Sequence, residues 1–65
     1  MLTPRQTEIL ALVAAGYRNR EVAAVLEIEE ETVKSHMRKA LERLGARNRA
    51  HAVALWLMAE SEEAL

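Results

Sequence analysis

Apolar positions along this chain recur at helical spacing in four stretches, punctuated by a single proline and two glycines. At about 100° per residue, Ile9, Leu10 and Val13 share one side of a first helix, and Val22, Ala23 and Leu26 share one side of a second. Val33, Met37, Ala40, Leu41 and Leu44 form one stripe of a third, and Ala52, Val53, Leu55, Trp56 and Ala59 a broad stripe of a fourth. The residues between these stretches fit as boundaries. Thr3, Pro4 and Gln6 make a capping box with proline at the first helical position. Gly16 suits the left-handed end of the first helix and Asn19 the N-cap of the second. A turn at 27–29 leads into a third helix from about Glu30 to Leu44, closed by Gly45, and Asn48 caps a fourth from about Arg49 to Glu62. With almost no strand signal, the expected fold is all-α. It is a four-helix bundle over residues 1–65, one domain, in which a tight turn makes the second and third helices a helix-turn-helix.

The outer face of the third helix carries the chemistry. Lys34, Ser35, Arg38, Lys39 and Glu42 point away from its apolar stripe, with Lys34 and Arg38 about one turn apart. A rod with such donors on its outside suits the major groove of DNA, where an arginine reaches both acceptors of a guanine. Overall charge first argues against this, since nine Lys and Arg face ten Asp and Glu for a net charge of -1. The average hides a segregation. From Lys34 to Arg49 there are six basic residues and one acid, whereas the preceding segment holds three basic and six acidic residues. Because screening limits attraction to about 8 Å at physiological salt, the local patch governs binding to phosphate.

A chain of 65 residues without cysteine has neither disulfide nor Cys-based zinc site to brace its core. Domains of this size bury only about 60% of their unfolded surface, so association with a second copy is the expected support. The fourth helix offers a surface for it. Ala50, Ala54, Leu57 and Met58 form a second apolar stripe opposite the first, with small residues where two backbones would approach and larger ones as anchors. A two-fold homodimer is expected. No signal peptide, lipidation motif or apolar run of about 18 residues is present, so a cytoplasmic protein without membrane contact is expected. Catalysis has little support. Ser35 and His36 are neighbours and point about 100° apart, so they cannot act as nucleophile and base. Two histidines without cysteine give no metal site, and no cofactor is implied.

Several spaced segments resemble the DNA-binding domain of LuxR-type regulators, also called the GerE or NarL type. They are Leu2-Thr3-Pro4-Arg5, Ala15 to Ala23, Thr32-Val33-Lys34-Ser35-His36, Arg43-Leu44-Gly45, Asn48-Arg49 and Ala52-Val53. The resemblance implies a bacterial transcription regulator whose third helix reads double-stranded DNA and whose fourth pairs two subunits on inverted repeats. It places base contacts on Lys34, Ser35 and Arg38, and phosphate contacts on Asn19, Thr32, His36, Lys39 and Arg49. Other readings stay open: a cap alone for Asn19, a border histidine for His36, and solvated charge for Lys39 and Arg43. The chain departs from the family at Glu29, Glu30 and Glu31, where a Ser or Thr cap is usual, and at Ala40, where a larger aliphatic residue is usual. Because the resemblance begins at Leu2, a complete chain of this sequence is expected to be a stand-alone regulator.

A second class is a protein-binding module acting on RNA polymerase or another regulator. The Thr32-Val33 turn and the Ala40-Leu41-Glu42-Arg43-Leu44 run resemble the fourth region of bacterial sigma factors. Gly45, Asn48-Arg49 and the apolar fourth helix fit the LuxR type better.

Overall fold

The computed structural model describes residues 2–64, with side chains through residue 61. The fold is all-α: α1 (Pro4–Ala14), α2 (Asn19–Leu26), α3 (Glu30–Leu44) and α4 (Arg49–Ala64). The capping box at α1 forms as expected. Gln6 N–H donates to Thr3 Oγ1 at 3.1 Å, and Thr3 N–H donates to Gln6 Oε1 at 2.9 Å. That exchange satisfies Gln6, the one polar side chain buried among the described residues. At α4, Asn48 Oδ1 accepts from His51 N–H at 2.9 Å, and His51 Nδ1 accepts from Arg47 N–H at 3.0 Å.

Three helix ends close by the same device. The N–H groups of Tyr17, Ile28 and Ala46 reach back five residues to the carbonyls of Leu12, Ala23 and Leu41 at 3.0, 3.0 and 2.9 Å. Such a closure needs a left-handed residue just before the donor. Gly16 (φ +99°) and Gly45 (φ +65°) supply it cheaply. At the α2–α3 turn the same position is Glu27, with φ +56° and ψ +46°. A side chain there costs roughly 1–2 kcal/mol, and this strained residue sets the angle at which α3 leaves α2.

α3 packs on α1, α2 and α4, and α1 likewise packs on the other three, while among the described residues α2 and α4 share no packed face. The core consists of Ile9 and Leu10 from α1, Val22 and Ala23 from α2, Val33, Met37 and Ala40 from α3, and Ala52 from α4. Leu41, Leu44, Val53 and Trp56 pack at its margin. Ala40 is 1% exposed, so the small residue at this position is enclosed by its neighbours. Ala59 departs from expectation: it is exposed, although its angle places it with Ala52 and Trp56. Every position from Leu57 to residue 61 is exposed, so the last turns of α4 overhang the core on all sides.

Two stability outcomes follow. Ile9, fully buried, should lose about 0.5–1.5 kcal/mol as Ile9→Val and about 2–5 as Ile9→Ala. The larger loss matches the roughly 3–5 kcal/mol a core of this size supplies, so Ile9→Ala should show no cooperative urea transition. Glu27→Gly should raise the thermal midpoint by several degrees, since relief of the left-handed strain exceeds the roughly 0.5–1 kcal/mol entropic cost of glycine. An unchanged or lower midpoint would show that Glu27 is not strained.

Candidate nucleic-acid interface

Because the inner face of α3 builds the core, the opposite face is presented outward. Lys34, Arg38 and Lys39 are exposed and Ser35 is half-buried. On a helix, Arg38 follows Lys34 one turn on and about 40° round, so the two stand on one ridge. Arg38 and Lys39 have no ion-pair or hydrogen-bond partner among the described residues. A guanidinium in that state has its full fork available for a pair of acceptors.

Lys34 is engaged differently, in a contact the sequence reading missed. Its Nζ donates to Glu31 Oε1 at 3.3 Å. The three successive glutamates therefore do separate things. Glu29 is the N-cap residue of α3 but makes no side-chain cap bond. Glu30 borders the concavity described next. Glu31 lies beside Lys34 on the outer ridge.

An open concavity is lined by Tyr17, Arg18, Asn19, Arg20, Glu30 and Arg49, among others, where the first turns of α2, α3 and α4 come together. Here the structure corrects one expectation. Asn19 is not the N-cap of α2; that position belongs to Arg18, whose N–H donates to Glu21 Oε1 at 2.8 Å. The Asn19 carboxamide is engaged elsewhere, its Oδ1 accepting from Arg49 Nη1 at 2.6 Å. This bond bridges two helices that do not pack on each other. With its oxygen held, Asn19 keeps its NH2 for a ligand, next to the partial positive charge of a helix N-terminus. An anion can be held by such an arrangement. Arg18 and Arg20 also line this concavity and were not among the site residues expected from the sequence.

The other phosphate candidates lie along α3: Thr32 and His36 are half-buried and Lys39 is exposed. On α4, Ala50 and Ala54 are exposed, with Leu57 and Met58 48% and 63% exposed. Among the described residues no helix is long and apolar enough to cross a membrane.

Comparison with known proteins agrees with this architecture. Residues 1–56 match the family described as "Bacterial regulatory proteins, luxR family". The chain is 42% identical over 57 residues to the nitrate/nitrite response regulator protein NarP of Escherichia coli (strain K12), covering 88% of this chain and 26% of that protein. It is 45% identical over 53 residues to the response regulator protein VraR of Staphylococcus aureus (strain Mu3 / ATCC 700698), covering 82% of this chain and 25% of that protein. The chain thus spans about a quarter of the length of these curated relatives. A solved structure described as transcription factor GerE superimposes with a TM-score of 0.87 at 30% identity, covering 91% of this chain and 88% of that one.

The Asn19–Arg49 bridge is testable on its own. Asn19→Ala and Arg49→Ala should each lower stability, and the double variant should cost about 0.5–1.5 kcal/mol less than the sum of the two. Strict additivity in urea denaturation would show that the bond contributes nothing to the fold.

Proposed function

The chain belongs to the luxR family of bacterial regulatory proteins, and from that premise we propose that residues 1–65 form one sequence-specific DNA-binding domain that regulates transcription. α3 enters the major groove, and α4 pairs two copies on an inverted repeat. The observation that carries this reading is the exposed ridge of Lys34 and Arg38 on a helix whose opposite side is fixed in the core. Lys34, Ser35 and Arg38 meet base edges. Asn19, Thr32, His36, Lys39 and Arg49 meet phosphates and fix the register of the protein on the duplex.

The dimer rests on the exposed apolar strip of Ala50, Ala54, Leu57 and Met58, continued by the overhanging end of α4. Two-fold pairing puts half-site centres about 10 bp apart or at a multiple of that spacing. A protein partner such as RNA polymerase is the second reading, favoured by the exposed Glu27, Glu29, Glu30 and Glu31.

Binding of a labelled duplex, followed by fluorescence anisotropy against salt, separates the two readings. Affinity for DNA should fall steeply, with a slope of about -0.9 per phosphate neutralised. Lys39→Ala should weaken all duplexes alike and make that slope shallower by about 1. Absent or salt-independent binding by folded protein would contradict DNA as the partner. For the dimer, Leu57→Glu or Met58→Glu should preserve helix content and yield monomers in sedimentation velocity. Unfolding would instead assign the residue to the core.

A further inference from the structure

Glu31 is the one acid of the Glu29 to Glu31 run that the structure shows paired with a proposed base-reading side chain. Around the helix it lies about 60° from Lys34 and only about 20° from Arg38. The ridge therefore runs acceptor, donor, donor along its length. Glu31 sits in the first turn of α3, the end that in helix-turn-helix proteins meets base edges. Its side chain is 84% exposed and that of Lys34 51%, so both polar ends face solvent with hydrogen-bonding capacity to spare.

A carboxylate in this place has a definite chemical preference. Phosphates and the acceptor edges of guanine and thymine repel it, and only an exocyclic amino group can donate to it. Cytosine N4 is the amino group that Glu and Asp accept from in the major groove. The neighbouring ammonium prefers the opposite partner, guanine O6 or N7. Within one C·G base pair these groups already lie side by side, with cytosine N4 bonded to guanine O6 at an ordinary distance of about 2.9 Å. The Glu31 Oε1 to Lys34 Nζ separation of 3.3 Å is close to that spacing.

We propose that Glu31 and Lys34 read one C·G base pair as a unit. The Glu31 carboxylate accepts from the free N4–H of cytosine while the Lys34 ammonium donates to guanine O6. The four polar groups close a ring in which the Glu31–Lys34 bond mirrors the cytosine–guanine bond. Lys34 also neutralises the carboxylate against the surrounding phosphates. Glu31 is thus a specificity-determining residue, and Lys34 alone would accept guanine in more than one setting. This rests on the DNA-binding reading of α3 given above.

The test is selection of bound duplexes from a random pool by the wild-type protein, Glu31→Ala and Glu31→Gln, each confirmed folded by circular dichroism. Wild type should retain one C·G pair in each half-site with a preference of about tenfold or more. Glu31→Ala should lose preference at that pair alone. Glu31→Gln should shift it towards A·T, because a carboxamide pairs with adenine N6 and N7. Identical base preferences in all three proteins, with affinity raised uniformly in Glu31→Ala, would overturn the proposal and leave Glu31 as a phosphate-repelling charge. Failure of folded wild type to enrich any sequence would overturn sequence-specific DNA reading, and this proposal with it.

Discussion

The structure depends on how α3 is held. Val33, Met37 and Ala40 fix one side of it against α1, α2 and α4, and a helix held on one side has its other side committed to the exterior. On that exterior ridge stand Lys34 and Arg38, one turn apart. The rigidity matters because reading a base edge is a matter of tenths of an ångström in hydrogen-bond length. The angle of the ridge is set by the short α2–α3 turn, where Glu27 adopts a left-handed conformation usually left to glycine.

The same core explains why a second copy is a sensible part of the picture. Among the described residues its buried hydrophobic members are eight, and three of them are alanines. Alanines let helices approach closely but add little apolar area, and stabilisation scales with the area removed from water. α4 overhangs this core for more than a turn and carries exposed Leu57 and Met58. Covering that surface with a second copy, as proposed, would add apolar burial to so small a core. At the start of the same helix, Arg49 holds the Asn19 carboxamide, which ties the helix proposed for pairing to a residue proposed for phosphate binding.

What was legible in the sequence was local or periodic. The capping box of Thr3 and Gln6, the helix ends at Gly16 and Gly45 and the Asn48 cap rest on residues within a few positions of one another, and each forms. The inward stripes follow from spacing alone. The helix-turn-helix and the family were likewise readable from spaced motifs. What was not legible came from tertiary competition and from individual side-chain choices. Asn19 has the chemistry of an N-cap, but Arg49, thirty positions away, engages its oxygen. Glu27 gives no sign of its left-handed backbone because nothing in its side chain demands one. Glu31 belongs by sequence to an acidic run and is set apart only by its contact with Lys34. Ala59 has the angle of a core residue and lies beyond the end of the core.

In the function proposed here, the outer ridge of α3, presented twice by a symmetric pair, reads DNA sequence. Its most direct test is to sequence the duplexes that wild type and Arg38→Ala retain from a random pool. Wild type should enrich an inverted repeat with half-site centres about 10 bp apart, or at a multiple, and Arg38→Ala should lose it. The same repeat enriched by both proteins would contradict base reading by the ridge, and a site without symmetry would contradict the pair.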